Sequence, residues 1–254
     1  MSDGGASQGR QVILVTGACG DIGSAIVRAL NDDGALVVPS DYVPNERALA
    51  AIPAEVSDRF LQCDVRDAHQ VESVFDTVQA IHGKITGVVC AAAVVDWAPV
   101  LEIAVEQWER VIATNLTGCF LVARAAAARM ERGGSLVLIG SWIGVHPARN
   151  LASYCAAKAG VEMMSRCLAL ELGQLGIRSN VVAPGIVDAG VSAQVFHASP
   201  ERRAALERVI PLGSLGTSEQ VADAVRFLFS PAAMYVTGST LTVDGGVHLS
   251  HEGG

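Results

Sequence analysis

Short apolar runs alternate with amphipathic stretches along the whole chain, and that alternation limits the folds open to it. The runs cover residues 11–15, 35–39, 60–63, 85–90, 136–139, 177–182 and 239–243, and Val, Ile and Leu dominate most of them. Each is of strand length and too short for a helix, and unbroken apolar character marks a strand buried on both faces. Between them lie stretches of helical spacing at 24–33, 68–82, 106–130, 154–175 and 219–229. Strand followed by helix, repeated without a block of consecutive strands, predicts an α/β fold. The sheet should be parallel and doubly wound, with about seven strands and helices on both faces.

No linker divides residues 11–254, so they are read as one domain behind a flexible, polar, glycine-rich tail at residues 1–10. The tail lacks the apolar core of a secretory signal. No run approaches the roughly 18 uninterrupted apolar residues of a membrane span. The net charge of −8 opposes a nucleic-acid surface. Six scattered cysteines (Cys19, Cys63, Cys90, Cys119, Cys155 and Cys167) form no C-x-x-C pair. They read as reduced core thiols of a cytoplasmic protein, and no metal constellation is present.

The first strand runs directly into Thr16-Gly17-Ala18-Cys19-Gly20-Asp21-Ile22-Gly23 and then a helix. Gly17 permits a tight turn, the later glycines let backbone approach a phosphate, and the free N–H groups of the new helix meet the anion. Asp41 closes the second strand about 20 residues on, where a carboxylate accepts hydrogen bonds from ribose hydroxyls. A 2′-phosphate there would meet negative charge, and neither Arg nor Lys stands in the turn or just after Asp41. NAD is therefore the expected cofactor rather than NADP.

Tyr154 and Lys158 stand four apart, so on a helix their side chains share a face. A free tyrosine titrates near pH 10, and an adjacent ammonium should lower that value and allow proton transfer near neutrality. Ser141 follows the fifth strand, at the carboxyl end where ligands of open parallel sheets bind. Asn115 lies inside the long helical stretch 106–130, where an amide costs helix stability. Residues 188–211 read as a flap over the site, irregular and then helical. Ser218 reads as the cap of the last helix.

Together these motifs resemble those of the short-chain dehydrogenase/reductase family, in its single-domain type of about 250 residues with a Rossmann-like sheet. The resemblance spans residues 11–247. It rests on the glycine turn, Asp64-Val65, Asn115 in Thr114-Asn115-Leu116-Thr117-Gly118, Ser141 thirteen before Tyr154, Tyr154-x-x-x-Lys158, Asn180 to Gly185, Ile210 to Gly213 and Val243 to Gly246. It implies that Tyr154 is the general acid or base, that Ser141 holds the substrate oxygen, and that Lys158 tunes Tyr154 and binds the nicotinamide ribose. Asn115 would expose a carbonyl that holds a water in a proton relay. Gly17, Gly20, Asp21, Ile22, Gly23, Asp41, Asp64, Val65, Cys90, Ala91, Ala92, Pro184, Gly185 and Val187, with Tyr154 and Lys158, would hold NAD. The reaction implied is hydride transfer between nicotinamide and a secondary alcohol or ketone, in a homotetramer.

Three positions depart from the family pattern. Asp21 occupies the usual second glycine, giving a Gly-x-x-Gly-x-x-Gly spacing like that of extended relatives, which include epimerases and dehydratases. Cys90-Ala91-Ala92-Ala93 replaces Asn-Asn-Ala-Gly, which removes side-chain support of the sheet. Ala189 replaces a threonine near the carboxamide, and Ser192 is the candidate to take over its contact. These departures keep two alternatives open: a dinucleotide-binding regulator without turnover, and an epimerase or dehydratase that retains its NAD. The substrate pocket is expected among Asp96, Trp97, Trp142, His146, Leu151 and Phe196, with Ser141 and Tyr154 at its base.

Overall fold

A computed structural model of the chain describes residues 10–130, 132–190, 193 and 199–250. Seven strands form one parallel sheet: β1 (Val12–Thr16), β2 (Leu36–Asp41), β3 (Leu61–Gln62), β4 (Gly87–Cys90), β5 (Gly134–Ile139), β6 (Ile177–Pro184) and β7 (Thr240–Val243). Their order is β3-β2-β1-β4-β5-β6-β7, the doubly wound Rossmann-like arrangement expected above. The winding reverses between β1 and β4, which opens a crevice at the carboxyl ends of these strands.

The unbroken apolar runs are explained by two cores, one on each face. Leu14, Val88, Leu136, Leu138 and Val181 point to one face, where Phe75, Val122 and Val161 pack on them. Ile13, Val15, Val89, Val137 and Val182 point to the other, against Ile26, Val225 and Leu228. Alternate residues of one strand thus serve opposite cores, which follows from the two-residue side-chain period.

The helices are α1 (Asp21–Asp32), α2 (Glu46–Ala50), α3 (Ala54–Ser57), α4 (Ala68–His82), α5 (Val105–Ile112), α6 (Cys119–Arg129), α7 (Ala152–Leu172), α8 (Pro200–Val209) and α9 (Ser218–Phe229). α2 and α3 are too short to leave a periodic signal. Thr217 caps α9, not Ser218: its hydroxyl accepts from Gln220 N, and Gln220 Oε1 accepts from Thr217 N. The stretch 106–130 is not one α-helix. A π-helical segment, Ala113–Gly118, separates α5 from α6. The whole helical run Val105–Arg129 is apolar and long enough to cross a membrane by length and composition, and half of its most apolar window is buried inside this fold. Residues 1–9 of the expected tail lie outside the described residues, and Arg10 is anchored, its Nε donating to the Gly34 carbonyl. Of the six cysteines, all free, Cys167 is exposed rather than in the core.

Candidate active site

β1 ends in a turn whose backbone is pressed against neighbouring backbone. Gly17 has a φ of +69°, and a Cβ there would lie 2.5 Å from Ala92 N. A Cβ on Gly23 would lie 2.0 Å from the Gly17 carbonyl oxygen. At Gly20 the nearest atom would be 3.5 Å away, an ordinary contact. Gly17 and Gly23 therefore define the turn, while Gly20 is the N-cap of α1. Gly23→Ala is expected to abolish NADH binding and lower the melting temperature, whereas Gly20→Ala keeps both near parental values. NADH fluorescence titration with thermal unfolding checks this pair.

Asp21 begins α1 beside Ile22, which packs on the α1-side core. Its carboxylate accepts from Gly190 N at 2.6 Å, which ties the turn to the loop after β6. Asp41 ends β2; Oδ2 accepts from Cys19 N at 2.8 Å and Oδ1 from Tyr42 N at 2.7 Å. Burial raises its carboxyl pKa, against these two lowering N–H groups. Asp64 and Val65 follow β3, and Asp64 is gripped by the Arg66 guanidinium, with contacts of 2.7–3.1 Å that lower its pKa.

Gly17, Gly20, Asp41, Asp64 and Val65, with Ala91, Ala92 and Ala93 after β4, line a cleft of about 920 Å³, and Asp21, Ile22 and Gly23 are not part of its lining. Cys90 is buried, with its thiol against the Cys119 carbonyl. Sequence reasoning missed Arg66 and Arg110, which share the cleft with Asp41 and Tyr42. Arg66 lies 5.5 Å over the Tyr42 ring. No local pattern announces it, because only the β2–β3 register (Asp41 opposite Gln62) brings residue 66 beside residue 42. The two glycines that leave room for backbone approach, the helix N-terminus and the Asp41 carboxylate fit a dinucleotide in donor chemistry and in space.

The second cluster lies at the ends of β5 and β6. Asn115 sits in the π-helical segment and clamps the chain after β4. Its Oδ1 accepts from Val94 N and its Nδ2 donates to the Val94 carbonyl, both at 2.8 Å. This amide supports the Cys90–Ala93 segment from outside, where the departing side chains cannot. Ser141 is buried just beyond β5 and hydrogen-bonds Tyr154. Lys158 is 3% exposed; its Nζ donates to the Ile139 carbonyl at 2.7 Å and lies 5.4 Å from the Tyr154 ring centre.

Burial decides both titrations. It pushes the Tyr154 hydroxyl up to about 12, outweighing the Ser141 hydrogen bond, and the Lys158 amine down to about 8. The lowering of Tyr154 expected from Lys158 is thus not realised in the protein alone, because desolvation penalises the phenolate more than any neighbour favours it.

Ser141 and Tyr154 open into a cavity of about 540 Å³ that Trp97, Trp142, Leu151, Gly185 and Val187 also line. Gly185 N donates to the Val243 carbonyl at 2.9 Å, holding the segment after Pro184 in place. Two expected pocket residues point elsewhere. Asp96 forms an ion pair with Arg110, and the His146 ring lies 5.9 Å from that of His248, beside a different, smaller cavity. Loop side chains carry no periodicity from which to read their direction. Phe196 and Ser192 lie outside the described residues, with the rest of 191–192 and 194–198 of the expected flap. Ala189 packs against the α1-side core. Asn150, Ile186, Arg202 and Leu206 line the cavity as well, the last two from the helical part of the expected flap. Among the described residues, no group of His, Cys, Asp and Glu is placed to hold a metal.

That smaller cavity, about 200 Å³, holds Glu162 of α7 beside Arg166, His146 and His248. Glu162 is 4% exposed, and its Oε1 has no hydrogen-bond partner. Oε2 accepts from Thr240 Oγ1 at 3.4 Å and lies 3.8 Å from Arg166. Burial raises its pKa. A raised folded-state pKa favours the protonated form on folding, so this stabilisation is complete below the unfolded value and is lost as pH rises through the folded one. Glu162→Gln, uncharged throughout, is expected to gain about 2–6 °C in melting temperature over the parent between about pH 5 and about pH 8. A difference that stays constant with pH contradicts this.

A family model described as Enoyl-(Acyl carrier protein) reductase matches residues 17–248. The chain belongs to the short-chain dehydrogenase/reductase family, and as such it is an oxidoreductase that uses a nicotinamide dinucleotide. It is 36% identical over 246 residues to 3beta-hydroxysteroid dehydrogenase 1 of Eggerthella lenta, covering 94% of each chain. It is 37% identical over 251 residues to the cis-4-hydroxycyclohexanecarboxylate dehydrogenase of Sinomonas cyclohexanicum, covering 95% of this chain and 98% of that one. The crystal structure of gox2181 superposes with a TM-score of 0.87 at 30% identity, covering 94% of this chain and 96% of the other.

Proposed function

We propose that this enzyme is an NAD-dependent dehydrogenase that interconverts a secondary alcohol and its ketone. The observation that carries this reading is the Ser141–Tyr154 pair opening into an apolar cavity, with the Lys158 amine buried beside it. Bound nicotinamide supplies or accepts the hydride. Tyr154, with its pKa near 12, keeps its proton through the neutral range and is placed to give it to a carbonyl oxygen. Ser141 donates a hydrogen bond to the same oxygen and orients it. Lys158 replenishes the proton, and Asn115, within the opened π-helical segment, holds the floor of the relay.

NAD is preferred because the Asp41 carboxylate, fixed by two backbone N–H groups, faces the adenosine end of the cleft. Arg66, which lies over the Tyr42 ring, is already engaged with Asp64. The six free cysteines support a cytoplasmic setting. Exposed Trp108, Phe120, Met163 and Leu170 on α5, α6 and α7 support a homo-oligomer packed through these helices, a tetramer on the family pattern. NADH formation from NAD across sugars, cyclic alcohols, aromatic carbinols and hydroxyacyl thioesters tests the reading. Turnover of one class is expected; silence across all of them, with NADH binding intact, overturns it.

A further inference from the structure

The cavity above Ser141 and Tyr154 is walled largely by apolar side chains, including Trp97, Trp142, Leu151, Ile186, Val187 and Leu206. Ser141 and Tyr154 are committed to the reacting oxygen. Of the other polar residues in the lining, Asn150 accepts from Ala98 N at 3.0 Å through its backbone carbonyl. Arg202, in the first turn of α8, is exposed at the rim and is the cation of the lining among the described residues. The contrast with its neighbour is informative. Arg203 is held on both sides, by Asp188 at 2.6 Å and Glu207 at 2.9 Å, and so anchors α8 over the site. The Arg202 guanidinium makes no hydrogen bond or ion pair with any described residue, and no Asp or Glu stands among the described residues lining the cavity.

A lining of this kind, with an oxygen-binding pair in one place, apolar walls, and one guanidinium without a carboxylate, is complementary to a molecule with the same three parts. A polyol fits poorly, since its extra hydroxyls would face indole and aliphatic surface without partners. A guanidinium presents two parallel N–H donors that match a carboxylate.

We propose that Arg202 determines specificity and that the substrate is a cyclic or aryl secondary alcohol, or its ketone, bearing a carboxylate. This rests on the dehydrogenase reading of the same site. The probes are cyclohexanol, 4-hydroxycyclohexanecarboxylate and its carboxamide, assayed with the parent, Arg202→Gln and Arg202→Lys. The parent is expected to prefer carboxylate over carboxamide by roughly tenfold to a hundredfold in kcat/KM, carried by KM and weakened by salt. That ratio falls toward one in Arg202→Gln and recovers in part in Arg202→Lys.

A second readout needs no turnover: cyclohexanecarboxylate binding, measured calorimetrically, is tighter in the parent than in Arg202→Gln. Equal parental kcat/KM for carboxylate and carboxamide, or a ratio unmoved by Arg202→Gln, overturns the proposal. Failure of the parent on all three alcohols, with cyclohexanecarboxylate still bound through Arg202, counts against the dehydrogenase reading and leaves the anion site standing. Equal binding to parent and variant removes the anion site.

Discussion

Tyr154→Phe is expected to cut turnover by roughly a thousandfold, within the hundredfold to ten-thousandfold range of a positioned acid–base group, while NADH binds as to the parent. The change removes one oxygen. The ring, the α7 backbone and the Lys158 hydrogen bond to the Ile139 carbonyl at 2.7 Å remain. The contacts expected to bind most of the dinucleotide lie in the separate cleft that Gly17, Gly20 and Asp41 line. Stopped-flow NADH binding beside steady-state turnover separates the two effects. Turnover within tenfold of the parent would show that another group moves the proton. Loss of NADH affinity in step with turnover would make Tyr154 a cofactor residue only.

Asp41→Ala is expected to weaken NAD roughly tenfold to a hundredfold, the value of hydrogen bonds to a charged acceptor. It should also relax the rejection of NADP, so that the NAD-to-NADP ratio of kcat/KM falls by more than either change alone. Two causes add. The ribose hydroxyls lose their acceptor, and the negative charge that faces a 2′-phosphate is gone, with Arg66 and Arg110 left in the cleft. Removing Asp41 also frees Cys19 N, so the turn loses one of its fastenings. Asp41→Asn keeps an acceptor for Cys19 without the charge, and isolates the electrostatic part. Unchanged cofactor preference in both variants would remove Asp41 from the discrimination.

The middle of the sheet was legible because β1, β4, β5 and β6 are buried on both faces and must be largely apolar, whereas the edge strands β3 and β7 are partly exposed. The glycine turn was legible for a different reason: backbone pressed to 2.0–2.5 Å of a would-be Cβ excludes every side chain at Gly17 and Gly23. The same test separates Gly20 from them, which spacing alone cannot do, and leaves the resemblance to the extended relatives' glycine pattern without a structural counterpart at that position.

The π-helical segment was not legible. It changes which backbone groups bond to each other while the apolar face continues, and the polar Asn115 was its trace. The Asp64–Arg66 pair beside Tyr42 and the turn of Asp96 and His146 away from the cavity depend on tertiary placement of loops, which no local pattern encodes. In the protein alone the Tyr154 hydroxyl is raised rather than lowered, for the same reason. Adjacency on a helix announces the neighbouring charge, but not the burial that outweighs it.

The most direct measurement uses NADH deuterated at the nicotinamide carbon that donates the hydride, incubated with the enzyme and a cyclic ketone. Deuterium on the carbinol carbon of the product, with one NADH consumed per alcohol formed and neither seen with Tyr154→Phe, is the result predicted here. Product formed with no net change in NADH would point to an enzyme that retains its cofactor. NADH bound tightly with no transfer to any ketone would point to a sensor, and either result would contradict the account.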